Sequence, residues 1–142
     1  MNSPQQIIKA CANGNAYAES FLGHFWVFAH ALDDCVDKPE RIDDQNITRA
    51  IINLIVDVAH NPFFEQNKHA LIAILQLSAA AWLDSNQMAR SGIPEQRLAA
   101  DVLKGAYHEV FWFTALKTGG WDYMRSVTKE YREFDFEQKG DS

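Results

Sequence analysis

The sequence predicts an all-α protein, and three observations lead to that prediction. Apolar residues recur at helical spacing, no segment shows the strict alternation of a half-buried strand, and Pro, Gly and Asn residues divide the chain into helical segments. The 142 residues, 47% of them hydrophobic, are enough for one core. We therefore expect one domain over residues 1–142, an up-and-down bundle of four long helices plus one or two short ones. The first helix and the last eight or so residues are expected to be peripheral.

Signals for helix starts and stops define the first three helices. Ser3-Pro4 begins a short first helix that ends at Gly14, because Pro suits the first turn and Gly the residue after the last. Asn15 can cap a second helix, which runs to about residue 37 and is closed by Pro39. Asp43 or Asp44 caps a third helix, "QNITRAIINLIVDVAH", which stops at 61–62.

The second half of the chain is divided in the same way. A fourth helix covers about 64–90 and contains "ALIAILQLSAAAWL" (70–83), a stretch expected to form a buried central helix because it is too short to span a bilayer. A fifth runs from Pro94 to Gly119-Gly120, a strong stop. A sixth, more polar helix follows from Asp122 to about Phe134, and the remaining residues are expected to be frayed.

Composition excludes several classes of function. A formal net charge of −6 argues against a nucleic-acid binder that works through a basic surface. Cys11 and Cys35 are not in a C-x-x-C pair, which indicates two ordinary thiols in a reducing compartment. The N-terminal stretch "MNSPQQIIKACANG" lacks the basic start and apolar run of a signal peptide. We therefore expect a cytoplasmic protein that binds neither nucleic acid nor membrane.

The end of the second helix, "HALDDCVDKPE", concentrates carboxylates where the helix dipole already places negative charge. A helical wheel gives this helix a core face and a second, polar stripe that contains a Trp and a His. The core face holds Phe21, Phe25, Phe28, Ala29 and Leu32, and the stripe holds Glu19, Gly23, Trp26, His30, Asp33 and Asp37, with Asp34 beside it. Like charges four residues apart repel, so a divalent cation is the compensation that the pattern suggests.

A cation of this kind is Mg²⁺ or Mn²⁺, since Mg²⁺ takes oxygen ligands and is held by one or two carboxylates plus water and substrate phosphates. Residues 33–37, "DDCVD", match the pattern DDxxD and resemble the aspartate-rich motif of helical isoprenoid synthases. In that family the motif lies late in a helix and binds Mg²⁺ that carries a diphosphate. The resemblance implies that Asp33 and Asp37 share a metal.

Other residues are candidates for the same site. In an up-and-down bundle the end of the fourth helix lies beside the end of the second, which makes Asp84 an additional metal ligand; its alternative is ordinary polarity at a helix end. His108 and Glu109, in "GAYHEVFWF", are candidate acid/base groups, because a carboxylate among aromatic residues needs a partner or a raised pKa. The alternative is a satisfied core His and a paired Glu. Arg125, with Lys129 and Arg132, forms the compact basic group that could meet a phosphate.

Two classes of function follow. The first is a helical protein with a divalent-metal site that acts on a phosphorylated or diphosphate small molecule, without an organic cofactor. Its metal ligands would be Asp33, Asp34, Asp37, Asp84 and His30, its catalytic residues Glu109 and His108, and its substrate contacts Arg125 and Trp26. The alternative is a non-catalytic acidic interaction module, such as an inhibitor, an immunity-type protein or a phage accessory protein, that docks on a basic partner. A homodimer is open in both cases.

Overall fold

The computed structural model describes the backbone of residues 3–140 and side chains up to residue 133. Within that range the chain is helical and has no strand, which confirms the predicted all-α class. The helices, in chain order, are α1 (Pro4–Ala12), α2 (Ala16–Asp37), α3 (Asp44–Ile52), α4 (Pro62–Ala89), α5 (Pro94–Leu103) and α6 (His108–Gly140). Two 3₁₀ turns lie at Pro39–Arg41 and Lys104–Tyr107, and α3 continues into a π-helix at Asn53–Val58.

The described residues form two compact units. The first holds the chain up to Gln66 together with the part from Trp112 onward, and the second is Asn67–Phe111. None of the described helices has the length and apolar character needed to cross a membrane.

The helix starts in the first unit follow the predicted capping residues. The Ser3 hydroxyl accepts a hydrogen bond from the Gln6 backbone at 3.3 Å, and the Asn15 side-chain oxygen accepts one from Ala18 at 3.0 Å. These bonds satisfy backbone donors that have no partner inside the helix. The predicted starts of α1 and α2 are therefore confirmed.

An aromatic core holds α2 against the beginning of α4. Phe21 and Phe25 are buried, and the Phe21 ring lies 5.8 Å from that of Phe63 and 5.9 Å from that of Phe64, centroid to centroid. The predicted core face of α2 is correct in its first half but wrong at Leu32, which is 41% exposed. Burial therefore stops about halfway along the helix, before its acidic end.

The part of α6 in the first unit is attached to the end of α1 through backbone carbonyls. The Thr118 hydroxyl donates to Cys11 O at 2.9 Å, the Asn13 side-chain amide donates to Thr118 O at 3.2 Å, and the Tyr123 hydroxyl donates to Ala10 O. Directly after Thr118 the helix is interrupted at Gly120, whose φ of 86° and ψ of −178° are not helical. The stop predicted at Gly119-Gly120 is a kink at Gly120, and helical backbone resumes and runs to Gly140.

The second unit is an antiparallel pair formed by α4 and α5 with the 3₁₀ turn after it. The Ser85 hydroxyl donates to Ala100 O at 2.9 Å and the Ser78 hydroxyl donates to Ala106 O at 3.1 Å. An earlier residue of α4 thus pairs with a later residue of the other segment, so the two segments are antiparallel. The predicted single fifth helix is wrong, because the 3₁₀ turn separates α5 from α6 at Gly105, a poor helix former.

The prediction of a buried central helix in 70–83 is also wrong for one side of α4. Leu71 is fully buried and Ser78 nearly so, but Leu77 is 73% exposed and Leu83 is 59% exposed. The stretch is apolar on both sides, so its composition does not reveal which side is covered.

Candidate functional site

The acidic end of α2 places three carboxylates at the C-terminal end of a helix, as the sequence predicts. Asp33 and Asp34 are half-buried, Asp37 is exposed, and the last turn contains no basic residue. The backbone N–H of Lys38 donates to Asp34 O at 2.9 Å and ends the helix. Three carboxylates therefore lie within two turns of a helix end that carries partial negative charge.

His30 and Trp26 lie one and two turns earlier on the same stripe, and they contact each other. Nδ1 of His30 is 3.0 Å from the carbonyl oxygen of Trp26, and the two ring centroids are 3.6 Å apart. Because a carbonyl oxygen only accepts, Nδ1 carries the proton, and in the neutral ring Nε2 carries the lone pair. Nε2 is therefore the nitrogen of this ring that can bind a metal or accept a proton.

Asp43 has a structural role. Its two carboxylate oxygens accept from the backbone N–H and from the side-chain amide of Asn46, at 2.7 Å and 3.0 Å. This is an N-cap of α3, which confirms the capping role predicted for Asp43 or Asp44. Asp44 is the first residue of the helix, where a negative charge favours the dipole.

Three of the predicted residues, Asp84, His108 and Glu109, belong to the second unit. Asp84 is exposed, next to the buried Ser85. Glu109 is exposed, which corrects the expectation that aromatic neighbours enclose it: the adjacent Val110 and Phe111 point to the core instead. His108 is half-buried, with Nδ1 3.1 Å from Gly105 O. Its Nε2 therefore carries the lone pair, as in His30.

Arg125 is exposed, and its guanidinium donates to the Thr128 hydroxyl at 3.3 Å. Farther along α6 the guanidinium of Arg132 lies 5.8 Å from the centre of the Trp112 ring, a cation–π distance. The two arginines therefore have protein contacts of their own in the first unit.

Among the described side chains, no three His, Cys, Asp or Glu residues come together in a way that could hold a metal ion. His30, Asp33, Asp34 and Asp37 lie on successive turns of one helix, but they do not form such a group. Asp84 belongs to the second unit and the other residues to the first, so its proximity to them stays a prediction.

A set of aliphatic side chains on α2, α3 and the π-helix was not identified from the sequence as a functional surface. We call it the hairpin surface. It consists of residues that are between 37% and 60% exposed, namely Leu32, Val36, Ile51, Ile52, Ile55 and Val56. The stretch "IINLIV" has the composition of a core segment. Its position between the acidic residues at 43–44 and Asp57 is the signal that could have indicated an exposed segment instead.

Acidic residues flank the residues of the hairpin surface along the chain. Residues 33–57 include seven Asp or Glu against three Lys or Arg, so most of the net charge of −6 comes from this hairpin. Asp57, 49% exposed, lies 4.0 Å from Nε2 of His24, which ties the π-helix to α2. The hairpin therefore combines exposed aliphatic groups with negative charge.

Comparison with known protein families, with curated proteins and with solved structures finds no match.

Proposed function

We propose that this protein is a non-catalytic acidic interaction module whose hairpin surface binds a basic amphipathic helix of a partner protein. The observation that carries the proposal is the exposure of four aliphatic residues on two consecutive turns of an acidic hairpin, Ile51, Ile52, Ile55 and Val56. Large aliphatic side chains that remain in water mark interaction sites when they occur together.

The chemistry of the hairpin surface selects the kind of partner. Isoleucine side chains gain free energy from burial, about 1.5–3 kcal/mol for a fully exposed residue and proportionately less for one already half covered. The carboxylates around them repel acidic surfaces and attract Lys and Arg. An amphipathic helix with an apolar stripe and basic flanks satisfies both requirements.

The proposal is tested with two synthetic helical peptides that share a leucine stripe and differ only in their flanks, one with Lys and the other with Glu. Fluorescence anisotropy with the full chain is expected to show micromolar binding of the Lys peptide and none of the Glu peptide. Ile55→Ser is expected to weaken binding about tenfold, from the loss of about 1.4 kcal/mol of apolar contact. Leu98→Ser, at an exposed apolar residue of α5, is the matched control and is expected to change nothing.

Equal affinity for the two peptides, or unchanged binding by Ile55→Ser, contradicts the proposal. Measuring peptide affinity at raised salt concentration separates the ionic from the apolar contribution to binding. Salt screens the ionic attraction between exposed groups but not the apolar contact.

A second candidate function, a Mg²⁺ or Mn²⁺ site for a phosphorylated small molecule, is supported by the geometry of His30. A ring whose Nδ1–H is held by a backbone carbonyl presents Nε2 in the orientation typical of metal-binding histidines. Asp33, Asp34 or Asp37 would supply the carboxylates, and the phosphate and water the remaining ligands. In this function Arg125 would orient the phosphate, and Glu109 or His108 would handle protons.

Calorimetric titration of Mg²⁺ and Mn²⁺ tests this second function. Binding heat is expected for the wild-type chain, with affinity reduced at least tenfold in Asp34→Asn and unchanged in Asp44→Asn, which alters an equally acidic residue outside the stripe. If neither metal gives heat or shifts the melting temperature, the metal function is wrong, whereas the peptide experiment is unaffected.

A further inference from the structure

The exposed side of α4 carries a 3-4-3-4 spacing of residues, the pattern of a helix–helix seam. The five positions, which we call the α4 seam, are His69, Ile72, Gln76, Ala79 and Leu83, and all five are exposed. A spacing that alternates between three and four residues keeps side chains on one line of the helix, facing a partner helix. The seam lies within the second unit.

The α4 seam differs from the hairpin surface in its charge. No Lys, Arg, Asp or Glu occurs between Lys68 and Asp84, whereas the hairpin around the other surface is rich in carboxylates. A basic partner would find no opposite charge on the seam. A second copy of this chain, which is acidic overall, meets no like charge there.

We propose that two copies of the chain associate through their α4 seams as an antiparallel pair of helices. In this arrangement Ile72 of one copy packs against Leu83 of the other, and Gln76 packs against the small Ala79. The uncharged run begins with Lys68 and ends with Asp84, so antiparallel pairing brings opposite charges to within one turn of each other at each end. Parallel pairing would place like charges together.

The dimensions of the seam suit such a pair. Residues 69–83 extend about 21 Å at 1.5 Å per residue, roughly four turns of helix. In the antiparallel register the small Ala79 of the other copy lies opposite Gln76 and leaves room for its longer side chain. The interface is isologous, because each copy contributes the same surface.

Sedimentation and light scattering of the full chain test the association. The expected mass is twice 16.1 kDa at micromolar concentration. Ala79→Glu is expected to raise the dimer dissociation constant by more than about 100-fold, because it places two carboxylates in the interface. Leu98→Glu is the control: Leu98 is 70% exposed on α5, outside the seam, and the dimer should persist.

Cysteine cross-linking tests the antiparallel register and does not depend on Ala79→Glu folding. In a Cys35→Ser background, Ile72→Cys and Leu83→Cys chains are mixed and oxidised. The expected product is the mixed 72–83 disulfide, because bridging requires Cα atoms within about 7 Å. A monomer at all concentrations, a dimer that persists in a folded Ala79→Glu chain, or a predominance of 72–72 and 83–83 disulfides would overturn the proposal. This association is independent of what the hairpin surface binds.

Discussion

Gly119, at the attachment of α6 to α1, is a position where one methyl group is expected to destabilise the protein. A Cβ placed there would lie 2.2 Å from Cδ1, 2.5 Å from Cγ and 2.8 Å from Cβ of Tyr123. Non-bonded carbon atoms are normally 3.5–4.0 Å apart. Tyr123 must therefore move, and its hydroxyl is the group that donates to Ala10 O.

The expected free-energy change combines three contributions. Gly→Ala within a helix is normally favourable by about 0.5–1 kcal/mol. Forcing extra volume into a packed site costs about 1–3 kcal/mol, and a lost hydrogen bond costs about 1 kcal/mol more. The Gly119→Ala chain should therefore be less stable than the wild type by about 1–3 kcal/mol.

Denaturant unfolding followed by circular dichroism measures this change, with Gly23→Ala as the matched control. Gly23 lies inside α2, and a Cβ there would meet no atom within 4 Å. That substitution should stabilise the protein by about 0.5–1 kcal/mol, so the two variants are expected to differ in sign.

The cause is tested by combining Gly119→Ala with Tyr123→Ala, which removes the ring. If the ring is responsible, Gly119→Ala should cost clearly less in the Tyr123→Ala background. An undiminished cost there, or a stabilising effect of Gly119→Ala alone, would refute the reasoning.

Three further predictions concern the first unit. Asp43→Ala should lower the free energy of unfolding by about 1 kcal/mol through the lost cap to Asn46, whereas Asp44→Ala should change it much less, as denaturant midpoints will show. A thiol reagent at neutral pH should label exposed Cys35 rapidly and buried Cys11 only after unfolding, and equal rates would contradict the burial. Burial raises the pKa of Cys11 from 9.0 to about 12, so the unfolded state loses this proton first. Stability should therefore fall as the pH rises above 9, and Cys11→Ala should reduce that slope by up to about 1.4 kcal/mol per pH unit.

Features of the fold that depend on neighbouring residues could be predicted from the sequence. Asn15 and Asp43 cap the helices that their positions predict, and α6 is interrupted at the predicted glycines. In each case the side chain or backbone conformation acts within three or four residues, so the sequence contains the whole cause.

Features that depend on distant residues could not be predicted in the same way. Leu32 continues the apolar face of α2, yet it is exposed because burial depends on what the rest of the chain places there. The apolar stretch in α4 was likewise expected to form a buried central helix, yet Leu77 and Leu83 are exposed. Periodicity identifies a helix and its faces, but it does not identify which apolar face is covered.

The same distinction between local and distant causes applies to the candidate site. The stripe that joins His30 to Asp33 and Asp37 follows from helix geometry and could be read directly. The exposure of Glu109 could not, because the three residues on either side of it suggested an apolar environment. Whether Asp84 joins the stripe depends on packing between segments far apart in the chain.

The π-helix at Asn53–Val58 bears on how much this chain can change in length. Ala50 and Val58 are both buried, although eight residues of regular α-helix would place them about 80° apart around the axis. A π turn holds an extra residue and so reduces that difference. The segment therefore behaves as an α-helix that has absorbed an inserted residue. Removing one residue from 53–58 would restore regular winding and leave the two buried positions seven residues apart, about 20° from alignment around the axis. The residues downstream would therefore keep their orientation, including Asn61, whose amide donates to Tyr17 O and whose carbonyl oxygen accepts from the Phe64 backbone. A one-residue deletion in this segment is therefore expected to be tolerated without a compensating insertion.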